Sequence, residues 1–171
     1  MNQSNSQKKS YPAKKAIISA NNNNYLFFLK KIVLTVFFIM EAVAFYTHRY
    51  VMHGFLWNLH ESHHRPREGM FEKNDWFAFL FAIPSILCIY SGYHNDTALL
   101  WVGVGIASYC PAYFIFHDMI VHRRIKIKYK FKSRYMKRMI RAHQLHHSTY
   151  EKDYASSFGF LYVPKDLKLG V

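Results

Sequence analysis

Two stretches without a single ionisable carboxylate, lysine or arginine decide what this chain can become. Trp76 to Tyr93 and Ala98 to Phe116 contain no Asp, Glu, Lys or Arg over 18 and 19 residues. Each is close to the ~20 residues a helix needs to cross a hydrocarbon core. A chain of 171 residues has little interior in which to bury two helices that are apolar all round, so both are expected to face lipid. Only His94 to Thr97 separate them, which makes them a helical hairpin. A hairpin returns the chain to the side it left. Arg123 to Arg141 carries ten lysines and arginines and no acid, so that side is expected to be the cytoplasm.

The rest of the chain is organised around this hairpin. Met1 to Asn24 is polar and of low complexity, with asparagines at 21 to 24, and reads as a disordered head. Residues 25–165 form one membrane domain, and 166–171 a short tail. An apolar run from Ile32 to Tyr46 follows Lys30 and Lys31 and is interrupted by Glu41. A signal peptide cleaved after Ala42-Val43-Ala44 is the weaker reading, because the helical pattern continues to His48 and His53. A retained first membrane helix fits better. If it spans fully, the lysine-bearing head lies outside, against the positive-inside rule; a helix that enters without crossing removes the conflict. Ile125 to Lys132 alternates apolar residues with lysine, as an extended stretch at the interface would. Tyr135 to His147 reads as a helix with Met136, Ile140, His143 and His147 on one face. Cys88 and Cys110 lie in the apolar runs as small hydrophobes.

Ten of the eleven histidines fall into four clusters: His48 and His53; His60, His63 and His64; His117 and His122; His143, His146 and His147. The order is pair, triplet, hairpin, pair, triplet, an internal repeat. In each triplet the first residue and those three and four later share a helical face, so up to three imidazoles can converge. In each pair, five residues turn an α-helix by about 500°, roughly 140° off a common face. The second member must therefore leave the regular helix. Gly54 can end the helix after His53; His122 is followed only by Arg123. Neutral imidazole ligates iron, copper and zinc, and the ten histidines read as a di-metal site. His94, outside the clusters, reads as structural.

The pattern HxxxxH, HxxHH, HxxxxH, HxxHH on membrane hairpins resembles the fatty-acid hydroxylase and sterol desaturase superfamily of non-haem di-iron enzymes. The segments HRYVMHG (His48 to Gly54), HESHHRPR (His60 to Arg67), FEKND (Phe71 to Asp75), HDMIVHRR (His117 to Arg124), HQLHH (His143 to His147) and FGFLYVP (Phe158 to Pro164) are similar to those of the bacterial-type β-carotene hydroxylases. The resemblance covers about residues 33 to 165. It implies an all-α integral membrane helical bundle in the bacterial inner membrane, with a histidine-rich di-metal site at the cytoplasmic face. It also implies a monooxygenase that hydroxylates carbon 3 of β-ionone rings of β-carotene, giving β-cryptoxanthin and then zeaxanthin. Two iron ions, O2 and electrons from a ferredoxin-type donor go with that activity, and the ligand role falls to His48, His53, His60, His63, His64, His117, His122, His143, His146 and His147.

Four carboxylates lie near the clusters. Glu41, deep in an apolar run, is a functional candidate or an acid hydrogen-bonded to a neighbouring helix. Glu61 and Asp118 adjoin histidines and could fix their tautomers, and Asp75 reads as a cap of the second span. The basic run Arg123 to Arg141 suits anionic lipid headgroups and an acidic ferredoxin. No nucleic-acid-binding motif accompanies the net charge of +13. A sister oxygenase acting on a sterol or a fatty acyl chain, or a carotenoid ring ketolase, is the alternative, and FEKND and FGFLYVP argue against it. A membrane metal carrier should distribute its ligands along a path, whereas these gather at one face.

Overall fold

The computed structural model describes residues 11–66, 69, 71–125, 128, 131–163, 165 and 167, with side chains from residue 22 onward. The described residues are helical or irregular, with no strand among them. Helix α1 runs Tyr11–Tyr46 and passes directly into a π-helical segment, Thr47–Phe55, followed by α2, Trp57–His64. A 3-10 turn, Lys73–Trp76, leads into α3, Phe77–His94; α4, Leu99–Tyr113, continues as a second π-helical segment, Phe114–Val121; and α5 is Arg134–His146. The chain thus repeats long helix, π segment and short helix, with α3 between the copies.

Lys73–His94 and Leu99–Val121 are the two helices among the described residues that are long and apolar enough to cross a membrane. They form the expected hairpin, which turns at Asp96 in the left-handed conformation (φ 50°). The apolar half of α1 carries Lys30, Lys31 and Glu41 and falls short of the same test. It nevertheless exposes Leu34, Phe38, Ile39 and Val43, and α3 exposes Phe79, Ile83, Ile86 and Leu87. That apolar shell fits association with a membrane.

Helix α4 is the centre of the bundle, packed between α3 and α1. Gly103 and Gly105, two residues apart and so on opposite helical faces, make this possible. A Cβ on Gly103 would come within 2.7 Å of the Ile89 backbone nitrogen on α3, and one on Gly105 within 2.7 Å of the Val36 Cβ on α1. The Ser85 hydroxyl donates to the Gly103 carbonyl at 2.9 Å, satisfying a buried polar group inside the hairpin. At the other end of the bundle, Met40, Tyr109, Phe116, Met139, Ala142, Phe160 and Val163 form a buried core under the histidines.

One sequence expectation meets a different structure. Tyr11 to Asn24, part of the expected disordered head, continues α1, since extending an existing helix costs far less than nucleating one. Residues 1–10 of that head lie outside the described residues. So do four members of the alternating stretch 125–132, and most of the tail 166–171. Helix α5 falls within a residue of expectation, with His147 as its C-cap. His94 is exposed at the hairpin turn, and both cysteines are free and half-buried.

Candidate metal centre

The ten clustered histidines meet at one end of the bundle and sort into two sets of five. His48, His53, His60, His64 and His146 offer nitrogens that all lie within 4.8 Å of one another, and so do His63, His117, His122, His143 and His147. Neither set is simply one half of the repeat. Each triplet gives its first and last histidines to its own half and its middle one, His63 or His146, to the other. The expectation that up to three imidazoles of a triplet converge on one point is met by two of each three. Residues i and i+4 share a face, but i+3 is offset to the side, and that offset carries it into the neighbouring set.

The pairs solve their spacing problem by winding rather than by ending. In a π-helix each N–H reaches the carbonyl five residues back, so residues five apart come into line. The His122 amide donates to the His117 carbonyl at 2.9 Å, and Leu56 to Val51 at 3.0 Å. The chain then leaves helical geometry at Gly54 (φ −106°, ψ −123°), as expected. In the second copy Arg123 takes the terminating role in the left-handed region (φ 51°), a conformation that costs a side-chain-bearing residue roughly 1–2 kcal/mol.

Seven of the ten histidines are aimed by a hydrogen bond from Nδ1. In the first set, His48 donates to the Phe158 carbonyl (2.9 Å), His53 to Lys152 (2.8 Å), His64 to Thr149 (3.0 Å) and His146 to Ser156 (2.9 Å), while His60 donates to Asn74 Oδ1 (2.6 Å). In the second set, His63 donates to Glu72 Oε2 (2.8 Å) and His117 to Asp118 Oδ1 (3.3 Å). One shell is therefore mostly backbone carbonyl and the other carries carboxylates. Arg124 ties the latter together, at 2.6 Å from Asp75, 3.5 Å from Asp118 and 3.8 Å from Glu72.

With Nδ1 protonated, Nε2 presents a lone pair inward. His48 faces His60 across 3.1 Å, His53 faces His146 across 3.2 Å, and His63 faces His117 across 3.2 Å, Nε2 to Nε2. Both members of each pair have spent their proton on an oxygen, so no hydrogen can sit between them. Nε2 of His64 and of His147 is buried with no hydrogen-bond partner among the described residues. Converging lone pairs repel one another unless a cation lies among them, and neutral imidazoles are the ligands divalent metals take. The residues fit two metal ions. Burial holds the imidazoles neutral: it lowers His60 to about 2 and His64 to about 4, and pushes His48, His63, His143 and His146 well below the ordinary histidine value, with neighbouring imidazoles adding to the effect.

The candidate carboxylates separate. Asp118 sits on His117 as expected. Glu61 is half-exposed in a surface pair with Arg65 at 2.9 Å and turns away from the histidines. Glu41 makes its hydrogen bonds to Tyr109 and to the backbone of Phe160 and Leu161. Asp75 caps the turn before α3, accepting from the Glu72 amide at 3.0 Å, and also holds Arg124. Glu72 and Asn74 were not singled out by spacing, since they lie nine and fourteen residues from His63 and His60, the cluster members they serve. The only signal for them was their place in the FEKND segment.

Beside the histidines lies a cavity of about 260 Å³. His48 of the first set and His117 of the second both reach it; Phe77, Phe81, Tyr113 and Phe158 supply aromatic wall. Its rim includes Ala78 and Phe114, both exposed on the apolar surface of α3 and the α4 extension.

Comparison with known proteins adds to this geometry. The family model for "Fatty acid hydroxylase" matches residues 33–164. A β-carotene hydroxylase of Pantoea ananas is 45% identical over 130 residues, covering 76% of this chain and 74% of that protein. One from a Paracoccus species is 37% identical over 139 residues, covering 81% and 86%. The chloroplastic β-carotene 3-hydroxylase 2 of Arabidopsis thaliana is 38% identical over 133 residues, 75% of this chain and 43% of that protein. No solved structure matches significantly.

Proposed function

The chain belongs to the fatty acid hydroxylase family, and from that footing we propose that it is a membrane di-iron β-carotene 3-hydroxylase. The observation that carries this reading is the contact of one apolar cavity with both five-histidine sets. The substrate class comes from the relatives, whose names agree across bacteria and plants.

The ten histidines are the iron ligands in this reading, five to each ion. Bound iron supplies the oxygen chemistry that breaks an unactivated C–H bond, which no side-chain acid or base can do. The chain's own part is positional. Oxygens at Nδ1 fix the tautomer and direction of seven of the rings. The aromatic wall excludes water and holds a β-ionone ring with carbon 3 toward His48 and His117. Ala44, Ala78 and Ala82 leave that ring its room. Electrons arrive from a ferredoxin-type donor at the basic segment 123–141, which also meets anionic headgroups. The histidine end of the bundle faces the cytoplasm across the bacterial inner membrane, following the positive charge.

The test is to express the chain in bacteria that accumulate β-carotene and to chromatograph their pigments beside a His146→Ala control. β-Cryptoxanthin and zeaxanthin should form only with the intact chain. Unchanged β-carotene, with the iron-loaded protein present in the membrane, would transfer the reading to a sister oxygenase.

A further inference from the structure

Glu41 sits in the apolar half of α1, yet its hydrogen bonds leave that helix. Oε1 accepts from the backbone amides of Phe160 (2.9 Å) and Leu161 (2.8 Å), and Oε2 from the Tyr109 hydroxyl on α4 (2.9 Å). The amides belong to an irregular strap, residues 155–163, that follows α5. The same strap lends the Ser156 carbonyl to His146 and the Phe158 carbonyl to His48. The Phe158 ring packs edge-on against His48, His53 and His146. All three histidines are in the first set.

The strap cannot hold this shape unaided. Ser157, between the two lending carbonyls, is in the left-handed region (φ 64°), and Tyr154 just before the strap is too (φ 72°). Such conformations persist in side-chain-bearing residues only where the surroundings enforce them. Glu41 is a main part of that enforcement, beside the Tyr135 hydroxyl on the Leu161 carbonyl and the core packing of Phe160: one carboxylate oxygen captures two successive amides two to three residues beyond Phe158. Gly159 completes the fit, because a Cβ there would stand 2.9 Å from Glu41 Oε1.

We propose that Glu41 is a positioning residue for one metal site only, setting the strap register that delivers the Ser156 and Phe158 carbonyls to the first histidine set. This rests on the reading of the two sets as iron ligands. In the second set His63 and His117 take their orienting bonds from Glu72 and Asp118 instead, and no strap carbonyl is among those acceptors. Loss of an orienting partner costs a ligand set about 10–100-fold in metal affinity.

The experiment compares purified wild-type, Glu41→Leu, Glu41→Gln and Gly159→Ala proteins, dialysed in detergent against chelators of graded strength, with iron per chain measured by mass spectrometry. Wild type should hold two irons. Glu41→Leu should surrender one of them to a chelator about 10–100-fold weaker while keeping the other. Glu41→Gln should behave as wild type, since its amide oxygen still accepts from both N–H groups. Gly159→Ala should reproduce the one-iron form without altering the carboxylate. Glu41→Leu that keeps both irons, or releases both together, overturns the proposal, as does Glu41→Gln that fails like Glu41→Leu. A wild-type protein without iron overturns the two-metal reading and this proposal with it. Two irons in both wild type and Glu41→Leu overturn this proposal alone.

Discussion

At the scale of single residues, the centre depends on protons being in one place. Every histidine of the first set whose bond partners are described donates Nδ1–H to an oxygen and keeps Nε2 bare. Burial that lowers His64 to about 4 and His60 to about 2 sets a sign for pH dependence. In the unfolded chain these groups protonate near 6.5; in the folded chain they resist. The unfolded state therefore binds more protons in between, and stability falls as pH drops from about 6.5 toward 4. We expect the thermal midpoint of chelator-treated protein in detergent to fall across that window and to be flat above pH 7.5 or so. Each histidine contributes at most about 1.4 kcal/mol per pH unit. A second prediction concerns Glu72, the acceptor for His63. Glu72→Ala should weaken iron binding at the second set by about 10–100-fold and leave the first set untouched, as read in a chelator titration. Spacing exposed the ligands because ligands must recur on helical faces. It could not expose Glu72 or Asn74, which reach the histidines across a turn rather than along a helix. Glu61, adjacent in sequence to His60, turned out to point into solvent for the complementary reason: neighbours in a helix project about 100° apart.

Among the elements, the two π-helical segments do what the sequence stated only as a difficulty. Five-residue spacing is incompatible with one α-helical face, and from that mismatch alone some departure was legible; that it would be a π segment in both copies was not. The hairpin, by contrast, was fully legible from two uncharged runs and four intervening residues. Arg123 offers an element-scale test. It is exposed and sits at φ 51°, where glycine carries no steric cost. Arg123→Gly should stabilise the end of that segment by up to about 1 kcal/mol, raising the thermal midpoint with iron content unchanged. The opposite result is expected inside the bundle. Gly105→Leu would drive a side chain into Val36, where a Cβ alone already meets another at 2.7 Å. Overpacking of this kind costs about 1–3 kcal/mol or more, and the variant should melt earlier and yield less folded protein.

For the whole molecule, the cavity limits how much substrate can be held. Its 260 Å³ lies just below the roughly 300–1,000 Å³ that encloses a drug-sized ligand. In the proposed reading one β-ionone ring enters at a time, the polyene leaves past the exposed lining residues Ala78 and Phe114, and the two rings are oxidised in separate visits. In membranes given labelled β-carotene and then an excess of unlabelled substrate, label should be trapped as β-cryptoxanthin; direct passage to labelled zeaxanthin would refute the one-ring arrangement. Ala82→Phe should fill the ring's room and abolish both products while iron remains bound. The exchange of His63 and His146 between the halves has a bearing on how the protein comes into being. Each five-membered set spans the hairpin, one from His48 to His146 and the other from His63 to His147. A nascent chain emerging from the ribosome therefore passes through almost its entire synthesis with neither nest complete. In the proposed two-metal reading, an ion can be captured stably only after the last helix has docked, so metal uptake would certify a finished fold rather than scaffold it.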